Sequence, residues 1–256
     1  MWGWSLVEAS ALDRTVDSPS APAEYRCMAK LTMHDADGAF DITVFEVEQA
    51  SRVVLFAVGG GGNPERHGPL LAALAERGYS VIAPHFERMV SPIPTAHDLL
   101  LRARRLKLAL DAVARPFVPA VGVGHSIGAA TLLALAGGQL WTLPTQPLPI
   151  APDARLARMA LMAPATGFFR APGALDDVHV PILVWAGSED AITPHTHAEL
   201  LRDALEGRAS VEVRLVKGAG HFSFMNVLPP QVTDPLPDRQ AFLLNLAKEM
   251  AEFVQG

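Results

Sequence analysis

Gly124-His125-Ser126-Ile127-Gly128 is the stretch of this chain with the sharpest chemical content. A G-x-S-x-G run carries meaning when a strand enters it and a helix leaves it, because the bend between them forces the central residue into strained backbone. The apolar run Ala120 to Val123 precedes the motif and the helical stretch Ile127 to Ala136 follows it. Glycines two residues to either side remove the side chains that would collide at such a bend. Ser126 would then lift its hydroxyl above a sheet. The N-terminus of the following helix would place free N–H groups and positive potential beside it, where an oxyanion is favoured.

A serine hydroxyl is a weak nucleophile at neutral pH. It needs a histidine to take its proton and a carboxylate behind the histidine to hold the imidazole tautomer. Both residue types occur downstream at matching places. Gly187-Ser188-Glu189-Asp190-Ala191-Ile192-Thr193-Pro194 follows the apolar run Ile182 to Ala186, and Lys217-Gly218-Ala219-Gly220-His221-Phe222 follows Val211 to Val216. Each loop leaves the C-terminal end of a strand, the edge where open α/β sheets bind ligands. Asp190 lies 64 residues after Ser126, and His221 another 31 residues on, one or two strand and helix units apart in each case. Glu189 competes with Asp190 for the acid role. The negative oxygen of a tetrahedral intermediate needs backbone N–H donors as well. Ile127, just after the serine, can give one, and the loop Val58-Gly59-Gly60-Gly61-Gly62-Asn63 can give another, since no Cβ keeps a substrate away from its backbone.

The elements needed to position these residues are legible. Tyr25 to Val47 holds two alternating stretches around Asp37-Gly38, an antiparallel hairpin. Short, continuously apolar runs follow at Val53 to Val58, Tyr79 to Ala83, Ala120 to Val123, Met159 to Ala163 and Ile182 to Ala186, as expected of strands buried on both faces. Helices fall between them. One starts near Pro69 and stops at Gly78, and a second starts at the capping-box-like Thr95-Ala96-His97-Asp98 with Leu99, Leu106, Leu110 and Val113 inward. Others span Ile127 to Ala136, run from a Thr193-Pro194 cap to near Gly207, and carry the C-terminal stripe Phe242, Leu246, Met250 and Phe253. Gln139 to Pro152, with Pro144, Pro147, Pro149 and Pro152, is too proline-rich for regular structure and reads as a loop or small lid.

With the chain order Ser, Asp, His in place, the sequence resembles the α/β-hydrolase superfamily from about Tyr25 to its end. The resemblance implies a three-layer α/β-hydrolase fold: a mostly parallel sheet, an N-terminal antiparallel hairpin and no large cap domain. It makes Ser126 the nucleophile, Asp190 the acid and His221 the base. Matched to the family's His-Gly-x-x pattern, Gly60 is the second oxyanion donor, with Gly61 as runner-up, and Val58 stands where histidine is usual. The compact layout and the phrase Leu74-Ala75-Glu76-Arg77-Gly78-Tyr79 look most like the dienelactone-hydrolase-like serine esterases. Dienelactone hydrolases proper use a cysteine nucleophile, so Ser126 points to an ester or related acyl substrate. The expected activity is serine hydrolysis of a carboxylic ester through an acyl-enzyme, needing neither metal nor organic cofactor. An acyltransferase using the same triad and a non-catalytic ligand-binding protein of the same fold are the alternatives.

Other candidates carry less. His85, Trp141, Phe168 and Phe222 fall in loops near the expected active edge and are candidate pocket residues, with Phe169, Phe224 and Met225 nearby in sequence. His125 reads as a packing residue beside the serine. His195-Thr196-His197 suggests a metal site, but no Cys or carboxylate cluster completes one, and the two histidines read as solvated. Arg102, Arg104, Arg105 and Lys107 crowd one helix and read as a solvated face. The glycine loops lack the P-loop ending and the dinucleotide pattern, which argues against nucleotide binding.

Composition bounds the rest. In 256 residues, 50% are hydrophobic and 19% charged, enough to bury a substantial core and too apolar for a disordered chain. A single α/β domain over 21–256, after an extension 1–20, is expected. A net charge of −6 gives no basic excess for a phosphate backbone, so nucleic acid is not an expected partner. The one cysteine, Cys27, cannot form an internal disulfide. The start Met1-Trp2-Gly3-Trp4 does not read as a secretory signal, and no apolar run is long enough to span a bilayer. A cytoplasmic protein acting on a small-molecule ester is the expectation.

Overall fold

The computed structural model describes residues 25–91, 93–113, 118–142 and 146–256; the expected extension 1–20 and Pro144 lie outside them. The alternating N-terminal stretches form β1 (Tyr25–Asp35) and β2 (Gly38–Val47). The apolar runs form β3 (Arg52–Ala57), β4 (Tyr79–Pro84) and β5 (Ala120–His125). Two-residue strands β6 (Trp141–Thr142) and β7 (Gln146–Pro147) come next, then β8 (Leu156–Met162), β9 (Ile182–Gly187) and β10 (Val211–Val216). Helices α1 (Gly68–Glu76), α2 (Ala96–Val113), α3 (Ile127–Leu135), α4 (Thr196–Ala204) and α5 (Arg239–Gln255) alternate with the strands.

Eight strands make one sheet in the order β1-β2-β4-β3-β5-β8-β9-β10. β1–β2 and β2–β4 are antiparallel pairs, and the neighbours from β4 to β10 are parallel. The sheet is covered on both faces because its central strands are apolar on both. Val53, Leu55 and Ala57 of β3 join the core made with α2, α3 and α4, while Val54, Phe56 and Val58 join the core made with α1 and α5. Burying each valine, leucine or phenylalanine side chain contributes about 1.5–3 kcal/mol relative to exposing it, so neither face can be left open.

Helix α2 starts as its sequence predicts. The Thr95 backbone N–H donates to Asp98 Oδ2 (2.8 Å) and the Asp98 N–H to Thr95 Oγ1 (3.1 Å), a reciprocal cap. Its arginines do not form the expected solvated face. Arg102 is 2% and Arg105 7% exposed. Arg105 Nε donates to Asp35 Oδ2 (3.1 Å), as does Arg104 Nε (3.1 Å), and Arg104 also pairs with Asp37, so α2 is tied to the turn of the β1–β2 hairpin. Arg102 falls on the buried stripe of Leu99, Ala103 and Leu106, at helical spacing, and reaches past α2 into the loop after β3.

Two more expectations are corrected. Helix α4 begins at Thr196 with His195 at its N-cap, so Thr193 is not the cap; its hydroxyl is spent on Asp190 instead. Within Gln139–Pro152, β6 and β7 pair antiparallel, Trp141 with Pro147 and Thr142 with Gln146, because a proline at a strand edge needs no N–H donor.

Candidate active site

The bend after β5 is built as the sequence requires. Ser126 holds φ 56° and ψ −122°, a left-handed conformation unusual for a residue with a side chain. Its neighbours fix it there: the Ser126 N–H donates to Met162 O (3.0 Å), and Ser126 O accepts from Ala130 N–H (3.3 Å) and Ala165 N–H (3.2 Å). A Cβ on Gly124 would lie 2.8 Å from Ala129 Cα, and one on Gly128 would run into the backbone oxygens of Ala57 and Val58. The two glycines are thus what lets α3 press onto β5 and β3 and hold the serine at the bend.

The loop after β10 brings His221 over the bend, with Nε2 2.9 Å from Ser126 Oγ. On the other side of the ring, Nδ1 lies 2.8 Å from Asp190 Oδ2. Asp190 follows β9, which lies beside β10, and its side chain is fully shielded from solvent. Asp190 Oδ1 accepts the Ile192 and Thr193 N–H groups, both at 2.8 Å, so the carboxylate cannot swing. Burial pushes the Asp190 carboxyl up, but the hydrogen bond and charge of His221, with the N–H and hydroxyl of Thr193, outweigh it and hold the group below its ordinary pKa. The competing acid, Glu189, is exposed and accepts a hydrogen bond from Ser188 Oγ (3.2 Å).

Three residues serve the site in ways the sequence reading missed. Thr193 Oγ1 lies 2.8 Å from Asp190 Oδ2, 3.0 Å from His221 Nδ1 and 3.0 Å from Ala163 O, so one hydroxyl touches both members of the pair. The signal was its place three residues after an aspartate, where a side chain folds back on the acid. His125 does more than pack: its Nε2–H donates to His221 O (3.0 Å) and anchors the backbone of His221. Burial first, then the neighbouring His221 and His67, keep His125 neutral. His197 is half-buried at the cleft wall rather than solvated, and its Nδ1 accepts the Thr166 N–H (3.0 Å), a bond to the loop after β8 that no local pattern announces. Burial, then the charge of Arg170, lowers the pKa of His197; neutral and accepting at Nδ1, it carries its proton on Nε2.

Ser126 opens onto a cleft of about 1720 Å³. Gly60, Gly61 and Ile127 line it beside the serine, as do Trp141, Phe168, Phe222 and Met225. His85 does not. Its Nε2 bonds Thr43 Oγ1 (2.8 Å) and its N–H donates to Asp41 O (2.8 Å), because β2 pairs with β4 and captures the residue that follows it. Phe169 and Phe224 are buried in the two cores.

A shielded acid, an imidazole and an alcohol in hydrogen-bonded series, next to N–H groups at a helix start, can deprotonate the alcohol and receive a negative oxygen. Solved structures share this fold. The chain is similar over 91% of its length to 92% of an esterase from Pyrococcus furiosus, with TM-score 0.63 and 13% identity. It is similar over 89% of its length to 94% of an esterase from Thermogutta terrifontis (TM-score 0.62, 16% identity) and over 88% to 95% of a dienelactone hydrolase from Anabaena variabilis (TM-score 0.61, 19% identity). The chain has the α/β-hydrolase fold. No protein-family model and no curated sequence matches it. In this α/β-hydrolase fold the serine bend, the acid loop and the histidine loop follow three parallel strands, and all three open on one edge of the sheet. Among the described residues no helix is long and apolar enough to cross a membrane, and no three His, Cys, Asp or Glu side chains gather as a metal site needs.

Proposed function

We propose that the protein is a serine hydrolase that cleaves a carboxylic ester through an acyl-enzyme, with residues 21–256 as one catalytic domain. His221 Nε2 takes the Ser126 proton as Oγ attacks the ester carbonyl, and the N–H groups of Ile127 and Gly60 hold the negative oxygen. Asp190 keeps Nδ1 protonated and steadies the imidazolium. The same imidazolium gives its proton to the departing alkoxide, and a water, deprotonated by His221, then releases the carboxylic acid and frees Ser126. The observation that carries this reading is the unbroken series from Ser126 Oγ to His221 (2.9 Å) and from His221 to Asp190 (2.8 Å). The esterases and dienelactone hydrolase among the structural neighbours support an ester-type substrate. The Ser126→Ala variant should lose about 10³-fold or more of kcat/KM on a short-chain aryl ester while keeping its fold; equal turnover by that variant refutes the assignment.

A further inference from the structure

In the loop Val58–Gly62 the carbonyls of Val58, Gly59, Gly60 and Gly62 each accept a hydrogen bond from the protein, and one buried cation accounts for two of them. Arg102 Nη1 donates to Val58 O (3.0 Å) and Nη2 to Gly59 O (3.3 Å). Gly59 O also accepts the Gly62 N–H (3.1 Å), Gly60 O accepts the Met89 N–H (2.8 Å), and Gly62 O accepts the Phe86 N–H (2.9 Å). In a trans peptide the C=O and N–H of one unit point in opposite directions. Gly59 O and the Gly60 N–H belong to one unit. Holding that oxygen against α2 therefore turns the Gly60 N–H to the other side, where Gly59, Gly60 and Ser126 line the cleft and Arg102 does not. The same holds for Val58 O and the Gly59 N–H.

We propose that Arg102 is a positioning residue for the oxyanion site: its guanidinium fixes and polarises the Gly59–Gly60 peptide so that the Gly60 N–H meets the negative oxygen formed at Ser126. This rests on Ser126 being the nucleophile. A cation pulling on the carbonyl end of an amide makes its N–H a stronger donor. The guanidinium is itself held in place, 4.5 Å over the Phe86 ring, and Phe86 grips the far end of the same loop. Burial lowers the Arg102 pKa to about 10, with the charge of Asp98 opposing the drop, so the side chain stays cationic at neutral pH. The planar guanidinium presents two N–H donors in a fixed fork, one to each carbonyl, a geometry that the compact, freely rotating ammonium of a lysine does not preset.

The test compares wild type, Arg102→Met, which keeps an unbranched apolar stem, and Arg102→Lys, which keeps the charge without the fork. Steady-state kinetics on an aryl ester, the rate of inactivation by a fluorophosphonate, and thermal unfolding are read together. Losing one oxyanion donor costs about 10² to 10³ in kcat. Arg102→Met is expected to lose about 100-fold in kcat with KM changed less than about threefold, and to be inactivated correspondingly slowly; Arg102→Lys should recover only part of the loss. A folded Arg102→Met variant with kcat within threefold of wild type overturns the proposal. If that variant fails to fold, Arg102→Lys decides: full kcat overturns the proposal, and a kcat loss at unchanged KM upholds it. Wild-type turnover that vanishes in Ser126→Ala leaves the hydrolase reading intact whatever Arg102 does. A wild-type protein that neither hydrolyses esters nor takes up the fluorophosphonate sinks the hydrolase reading itself, and this proposal with it.

Discussion

Replacing Thr193 by valine removes one buried hydroxyl with almost no change of shape, and the structure says what that hydroxyl does. Its oxygen sits 2.8 Å from Asp190 Oδ2, 3.0 Å from His221 Nδ1 and 3.0 Å from Ala163 O. It has one proton to give, to the carboxylate or to the carbonyl, and it can share the Nδ1–H that points at Asp190. A hydrogen bond to a charged group contributes about 1.5–3 kcal/mol. At roughly 2–4 °C per kcal/mol for a chain of this size, Thr193→Val should lower Tm by about 3–12 °C at neutral pH. The pH dependence follows from the direction of the Asp190 shift. Its folded-state pKa lies below the ordinary value of 3.8, so the stabilisation is present above that value and is lost as pH falls through the folded-state pKa. Thr193 is one cause of the lowering, so the gap in stability between wild type and variant should be widest above pH 3.8 and close as the solution is acidified. If about 1.4 kcal/mol of the lost bond is also felt when the imidazolium forms, kcat falls about tenfold. Thr193→Ser should restore both properties. Calorimetry from pH 7 to 3, with ester kinetics at pH 7, checks this; a Thr193→Val variant with the Tm profile and kcat of wild type refutes the reasoning.

Two further outcomes follow from packing and charge. Gly128→Ala pushes a methyl into the backbone oxygens of Ala57 and Val58, whereas a Cβ on Gly61 meets nothing within 4 Å. Thermal unfolding should show Gly128→Ala losing about 1–3 kcal/mol or more, with Gly61→Ala within about 0.5 kcal/mol of wild type. At the hairpin, Arg105 and then Arg104 hold the Asp35 carboxyl at about 2, against the opposing effect of burial, below its ordinary 3.8. That contribution is complete above 3.8 and lost as pH falls toward 2. Discounted for the exposed Arg104 side, it is worth about 1–2 kcal/mol. Asp35→Asn should be less stable by about that amount at pH 7, and its stability should vary less with acidification between those values.

The fold and the three side chains that meet in hydrogen-bonded series were legible because each is announced by a local pattern. Apolar runs of strand length mark the buried strands, and glycines two before and two after Ser126 mark the bend. Loops directly after Ala186 and Val216 deliver Asp190 and His221. What the sequence hid depends on contacts between distant segments. Four basic residues close together on α2 read as a wet face, yet Arg102 and Arg105 are buried because the loop after β3 and the hairpin turn supply carbonyls and a carboxylate. Arg102 did carry a cue, its helical spacing from Leu99 and Leu106. His85 and His197 traded roles for a similar reason. Strand β2 binds the first, and the loop after β8 fixes the second at the cleft, pairings that no window of adjacent residues contains. Thr193-Pro194 reads as a helix cap from composition alone, and only the closeness of Asp190 and His221 shows where its hydroxyl goes.

The central claim is that the Ser126 oxygen attacks an acyl carbon with His221 as its base. A fluorophosphonate probe bonds irreversibly to such an oxygen, and mass spectrometry of the digested protein locates the bond. The account predicts a single stoichiometric adduct on Ser126 that disappears in His221→Gln. Label on another residue, or none on protein that is folded and hydrolysing esters, would contradict it.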